Sequence, residues 1–266
     1  MSASGLAMID LERAMQTARA GAVAASAASM VHYRQGVRVE TKPDRTPVTQ
    51  ADREAEAAIF EIIRTNFPGH ALLGEETGAH AGSADTRWIV DPIDGTRGFT
   101  RGGTFWGPLI ALEHCGLIVA GAMALPALGE VYWAARGKGA YRQVGDATPT
   151  RLGVSGIDDL SEATLFLGEP KALLSPAHAE RVLQLTATCA QTRCYGDLAG
   201  CAMVLTGRAE VWIEAGVQSW DLGPFPVLVA EAGGRFTDFA GNETVHSGHC
   251  VVSNAKLHSQ VLAMLK

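Results

Sequence analysis

The chain has 266 residues, 47% of them hydrophobic, and a formal charge of -6, which suffices to bury one large core or two modest ones. The acidic balance and the lack of any basic block argue against sequence-independent binding to nucleic acid, whose phosphates require faces rich in Lys and Arg. Cys115, Cys189, Cys194, Cys201 and Cys250 are an odd set without C-x-x-C spacing, which fits reduced thiols in a cytoplasmic protein.

Apolar residues recur at helical spacing over 9–33 and again over 51–67, where Pro68-Gly69 closes the second stretch. The alanine-rich segment 18–31 is too short and too weakly hydrophobic to span a bilayer, and reads as a packed helix, not a signal or anchor. From Ala71 the texture changes to short apolar runs punctuated by glycine: ALLG, RWIVD, PLIALEH, LIVAGAMAL, EVYWAA and GAYR. Cys115-Gly116 splits two of these runs as a hairpin turn would, and another turn falls near Ala127-Leu128-Gly129. After VGDATPT the pattern alternates: strand ATLFLG, helix from about Pro176, strand TRCY, helix from about Asp197, strand AEVWIE, helix from about Asp221, then strands GRFTDF and CVVSN. The expected division is therefore 1–149, strand-rich after two helices, and 150–266, alternating α/β. With no repeat or linker between them, the halves should pack closely.

The run WIVDPIDGT, Trp88 to Thr96, is where chemistry enters. Asp91 and Asp94 stand at the mouth of a strand that reads as buried, where each must be solvated, paired or bound to a cation. Pro92 stiffens the bend between them, so both side chains can turn to one site instead of alternating across the strand. Three more acidic signals occur where strands meet loops or helices: Glu75 and Glu76 in GEETG, Asp52 in VTQAD, and Asp221 in SWD. Carboxylates converging without a Cys or His pattern favour Mg²⁺ or Mn²⁺ over Zn²⁺. Gly95 permits close backbone approach, and a short helix from Thr96 would turn N–H groups toward a phosphate.

In these residues the chain resembles the inositol monophosphatase family of metal-dependent phosphomonoesterases. The matching motifs are Gly74-Glu75-Glu76, Asp91 to Thr96, Trp220-Asp221 and Glu231 to Gly234, in the family's order and spacing from about Lys42 to the C-terminus. The neighbourhood RGGTFWGPLIAL and the turn YGDLAG are most similar to the histidinol-phosphatase subgroup. The resemblance implies an α/β layered sandwich, with an antiparallel N-terminal sheet and a mixed C-terminal sheet, each flanked by helices. It implies two or three Mg²⁺ ions, with Mn²⁺ as a substitute, held by Glu75, Asp91, the Ile93 carbonyl, Asp94 and Asp221, with Glu76 behind them. Water would be the nucleophile, oriented by the Thr96 hydroxyl, which Asp52 would polarise. Gly95 and Thr96 would hold phosphate oxygens, and Asp197 and Glu214 would face the leaving group. The substrate class is a small phosphate monoester, with histidinol phosphate first and inositol monophosphate as the alternative. The resemblance also implies a cytoplasmic homodimer without nucleic-acid or membrane partners.

Each motif alone has a plainer account. Asp-Pro and Asp-Gly mark turns, Asp52 suits the first turn of a helix, and Asp197, Thr96 and Trp220-Asp221 suit helix starts. Glu75-Glu76 suits a solvated loop, and Glu214 the exposed end of a strand. It is their co-occurrence that points to a site. Trp106 reads as pocket wall, core or dimer contact, and Lys42 as a loop lysine within reach of the phosphate. His246 and His249 lack a third ligand, and RGKGAY reads as a strand turn. Two rival classes remain. An aspartyl-phosphate phosphatase places one residue between its aspartates where this chain has two. A non-catalytic regulatory or RNA-associated homologue would have no need of Asp52 and Thr96.

Overall fold

The structure is a computed structural model that describes residues 9–35, 39–41 and 47–266. Lys42 lies outside the described residues. The two long helices form as their spacing predicts, α1 over Leu11–Gln35 and α2 over Gln50–Asn66. Between them lies a short antiparallel ribbon of β1, Val39–Thr41, and β2, Pro47–Thr49. No helix among the described residues is long and apolar enough to cross a membrane.

The next strands are β3 (Ala71–Gly74), β4 (Gly78–His80), β5 (Thr86–Asp94), β6 (Gly107–His114), β7 (Leu117–Leu125), β8 (Glu130–Ala135), β9 (Gly139–Val144) and β10 (Thr150–Arg151). They form one sheet in the order β10-β9-β8-β7-β6-β5-β3-β4, antiparallel except where β3 runs parallel to β5. The turns at Cys115-Gly116 and in RGKGAY are hairpin connections. Strands β4 and β10 are short edge strands that the sequence reading leaves in loops.

A second, mixed sheet has the order β12-β11-β13-β15-β14. Its strands are β11 (Thr164–Leu167), β12 (Gln191–Cys194), β13 (Val211–Ala215), β14 (Gly234–Thr237) and β15 (His249–Asn254). The intervening helices are α3 (Thr96–Phe99), α4 (Pro170–Leu173), α5 (Ala179–Thr188), α6 (Asp197–Leu205), α7 (Ser219–Leu222) and α8 (Phe225–Glu231), and α9 (His258–Leu265) follows. The single helix expected from about Asp221 is thus two short ones. Pro224 has no N–H to carry the ladder through.

The layers follow from alternation along the strands. Trp88, Val90, Ile110 and Leu112 pack on one face against Ala18, Ala22, Ile59 and Ile63 of α1 and α2. Ile89, Leu109 and Met123 face the other way, onto Leu198, Leu205, Phe225 and Leu228 of α6 and α8, whose far side meets Phe166, Trp212 and Val252 of the second sheet. Leu165, Ile213 and Val251 then bury Val182, Leu185, Val261 and Leu265 of α5 and α9. The result is five layers, helix-sheet-helix-sheet-helix, with the ends of β5, β13, α6 and α7 brought to one place.

Candidate active site

Strand β5 departs from regular pairing where the aspartates stand. Asp91 pairs with Leu109 and Asp94 with Gly107, so β5 carries one residue more than β6 across this interval. Strict alternation would send Asp91 and Asp94 to opposite faces; the bulge brings them to the same one. Asp91 also turns back on itself, Oδ1 accepting from Ile93 N–H at 2.9 Å. Asp221 arrives from α7, third residue of a capping box in which its Oδ2 accepts from Gln218 N–H at 2.7 Å. One carboxylate oxygen each from Asp91, Asp94 and Asp221 lies within 4.8 Å of the other two.

These groups repel one another. Burial, then Glu75, Asp94 and Asp221, push the Asp91 carboxyl well up. Asp94 is raised by burial and by Asp197 and Asp221, against the Leu198 N–H that its Oδ2 accepts at 2.7 Å. Asp221 is pushed up to about 6, by burial first and then by Glu75, while the Gln218 N–H opposes. Buried carboxylates crowded in this way are what a bound cation would neutralise. The donor set is all oxygen, as Mg²⁺ and Mn²⁺ prefer.

Gly95 follows in the left-handed region, φ 78°, and caps α3. A side chain there would also collide, since a Cβ would sit 2.8 Å from the Phe105 carbonyl. With Thr96 it lines a cleft of about 550 Å³ whose lining also includes Glu75, Asp94, Arg97, Glu169, Asp197, Glu214 and Asp221.

Glu169, Asp197 and Glu214 make much of this lining acidic. Glu214, 3% exposed, accepts on Oε1 from Glu169 N–H at 2.6 Å and Ala215 N–H at 3.0 Å. Burial nevertheless pushes it up to about 7, with Asp197 and Glu169 adding to the rise. Glu214 is therefore not the exposed strand-end acid of the plainer reading. Asp197 opens α6 at φ 55°, a left-handed position unusual for a residue with a Cβ and costly unless its surroundings require it. Desolvation in the cleft and then Glu169 push it up to about 6. Glu169 was missed in the sequence; its signal was the Gly-Glu-Pro turn at the C-terminal end of β11, a place where open α/β sheets bind ligands.

Two expectations need correction. The Thr96 hydroxyl donates to the Ile93 carbonyl at 2.9 Å, not to Asp52. The Asp52 carboxylate, fully buried, accepts on Oδ2 from the Thr49 N–H at 2.7 Å and hydroxyl at 2.6 Å, while Oδ1 has no hydrogen-bond partner among the described residues. The physical reason is local: Asp52 is the third residue of the capping box that starts α2, and its nearest donors belong to its own cap. It still bears on the site, since Glu75 raises it after burial does. Trp106 is buried in an aromatic cluster with Tyr33 and Phe99, ring centroids 5.1 and 4.6 Å away, beneath the site and not in the cleft. His246 bonds Glu113 at 2.8 Å and His249 stacks on Phe239 at 4.3 Å, so both are in use structurally. Glu76 is tied through its backbone N–H to Glu56 at 3.0 Å.

Comparison with known proteins gives the family. The model of the inositol monophosphatase family matches residues 8–266. A histidinol-phosphatase of Mycobacterium tuberculosis is 41% identical over 86% of this chain and 88% of its own length, and an inositol-1-monophosphatase of Mesorhizobium japonicum is 34% identical over 87% of each. Among solved structures, the extragenic suppressor protein suhB of Bartonella henselae superposes with a TM-score of 0.85 at 30% identity, covering 95% of this chain and 98% of that one. With the family model spanning nearly the whole chain and relatives at 30% to 41% identity, the chain is a member of the inositol monophosphatase family.

Proposed function

We propose that the chain is a Mg²⁺-dependent phosphomonoesterase whose substrate is histidinol phosphate. The observation that carries the reading is the convergence of Asp91, Asp94 and Asp221 at a cleft that Asp94 and Asp221 line together with Glu169, Asp197 and Glu214. The family is metal-dependent. Glu75, Asp91, Asp94, Asp221 and the Ile93 carbonyl would hold two or three ions. When bound, the cation supplies Lewis acidity toward water and neutralises charge on the phosphoryl oxygens.

The remaining work falls to the chain itself. The N–H groups of Gly95 and Thr96 would donate to phosphate oxygens and hold phosphorus for in-line attack. Because the Thr96 hydroxyl gives its proton to Ile93, its lone pairs face a water as acceptor and orient that water's oxygen toward phosphorus. Asp197, Glu214 and Glu169 would receive the leaving group. A carboxylate wall discriminates in favour of the ammonium and imidazole of histidinol, since a charge-assisted hydrogen bond is worth roughly 1.5–3 kcal/mol, or about ten- to a hundredfold in specificity.

Inositol monophosphate is the second reading, supported by the Mesorhizobium relative. Phosphate release from histidinol phosphate, inositol 1-phosphate and an aryl phosphate, compared by kcat/KM with Mg²⁺ and with chelator, separates the two. Histidinol phosphate should lead, and chelation should abolish all three rates. Asp197→Asn should raise KM for the amine substrate and leave the aryl phosphate nearly unchanged. Asp94→Asn should lose metal binding and turnover together, whereas Thr96→Ala should keep its metal and lose kcat. A lead for inositol phosphate would promote the second reading, and a protein that binds metal but releases no phosphate would point to a regulatory homologue. A homodimer in the cytoplasm goes with the first reading, and light scattering reads the assembly.

A further inference from the structure

We propose that Glu56 is a positioning residue for Glu75, setting the geometry in which Glu75 meets a divalent cation. The proposal rests on the reading of Glu75 as a metal ligand but assigns a role to a side chain outside that ligand set. Glu56 sits four residues after Asp52, on the same face of α2. It is 1% exposed.

Two backbone bonds hold Glu75. Its own N–H donates to the Val90 carbonyl at 3.1 Å, which fixes it beside the strand position just before Asp91. The next N–H, that of Glu76, donates to Glu56 Oε2 at 3.0 Å. With both ends of the residue tied, the backbone dihedral between them has little freedom, and the Glu75 side chain leaves the chain in one direction. The first tie belongs to the sheet, whereas the second depends on Glu56.

The contact is also close. A Cβ on Gly74, the residue before Glu75, would lie 2.2 Å from Glu56 Oε2 and 2.5 Å from its Cδ. Gly74 is paired in register with Val90 on one side and Gly78 on the other, so the strand cannot move aside. A side chain at position 74 would therefore have to displace the Glu56 carboxylate from where it meets the Glu76 N–H.

Stability alone does not explain this carboxylate. Its Oε1 is buried and has no hydrogen-bond partner among the described residues, and a buried polar oxygen left without a donor costs about as much as the single N–H bond at Oε2 returns. A side chain kept at such a cost is accounted for by what it holds in place. Residues that orient metal ligands characteristically change affinity by about 10- to 100-fold when removed.

Calorimetric titration with Mn²⁺ tests this, on wild type, Glu56→Ala, Glu56→Gln, Gly74→Ala and the Glu56→Ala/Gly74→Ala double variant, each shown to be folded by circular dichroism. Glu56→Ala should weaken binding at least about tenfold and raise the Mg²⁺ concentration for half-maximal phosphate release by the same factor, with kcat at saturating metal retained. Glu56→Gln keeps an acceptor for the Glu76 N–H and should stay within about threefold of wild type. Gly74→Ala should resemble Glu56→Ala, and in the double variant it should add less than about twofold, because its clash partner is gone. A folded Glu56→Ala with wild-type affinity overturns the proposal, as do losses that add in the double variant or a Glu56→Gln as weak as Glu56→Ala. A wild type that binds no divalent cation sinks the phosphatase reading and this one with it. Metal binding that no Glu56 variant alters sinks only the role of Glu56.

Discussion

Glu214 shows how a single carboxylate couples the site to pH. Burial holds its pKa up at about 7 against two N–H donors that favour the charged form. In the unfolded chain it titrates near the ordinary glutamate value of about 4.3. Below that value both states are protonated. As pH rises from there to about 7 the unfolded chain releases its proton first, so the native state loses stability over this window and the loss is complete above it. The full shift corresponds to about 4 kcal/mol as an upper figure. In chelator, Glu214→Gln should flatten the fall of the thermal midpoint between pH 4.5 and 7; a variant whose midpoint falls as steeply as wild type would show that Glu214 is not its source. The individual residues of the cluster were legible because Asp91, Asp94 and Asp221 sit in motifs of fixed spacing. Glu56 was not, since an acid amid helical spacing in DREAEAAIF reads as a solvated face until the partner strand is placed over it.

At the scale of elements, the capping boxes serve folding and site together. Thr49 caps α2, its hydroxyl accepting from Ala51 N–H at 3.1 Å and donating to Asp52. In α7 Asp221 accepts from the Gln218 N–H as Asp52 accepts from that of Thr49. The plainer readings of Asp52 and Asp221 as early-helix acids are therefore correct descriptions of how these side chains are fixed, and the cap aims the carboxylate. Thr49→Ala removes one cap acceptor and one donor to a buried carboxylate and should cost about 1–2 kcal/mol. A lowered urea midpoint at unchanged slope is the expected result, and an unchanged midpoint would mean that water replaces the hydroxyl at no cost. Helices α1 and α2 were legible from periodicity because each runs long enough to repeat its apolar face. The split of α7 from α8, the edge strands β4 and β10, and α9 were not, because two to eight residues hold too little periodicity to separate strand, helix and turn.

The whole molecule is organised by the helical layer between the sheets. Phe225 of α8 packs edge-on to Trp212 of the second sheet, ring centroids 5.5 Å apart, within a cluster that also contains Ile89 and Leu109 of the first. One core therefore serves both sheets, and the two halves should lose their structure together. Phe225→Ala leaves a void in that layer and should cost about 3–5 kcal/mol. Urea unfolding followed by far-ultraviolet dichroism and by tryptophan fluorescence should give coincident curves for wild type and variant; separated transitions would show halves that unfold independently.

Sequence alone was enough to determine the acidic character of the cluster, the family resemblance, both long helices and most strands. All of these are local: residue types at fixed spacing, and apolar periods that repeat within one segment. Which carboxylates share a site was a different matter. That depended on a bulge in β5 that turns Asp94 to the side of Asp91, on α7 arriving from more than a hundred residues away, and on α2 lying against the turn that carries Glu75. The hydroxyl of Thr96 and the carboxylate of Asp52 likewise took their partners from geometry, each bonding to the acceptor or donor that folding placed nearest. Contacts between distant segments are selected by the packing of the whole chain, and no single stretch contains the information that selects them.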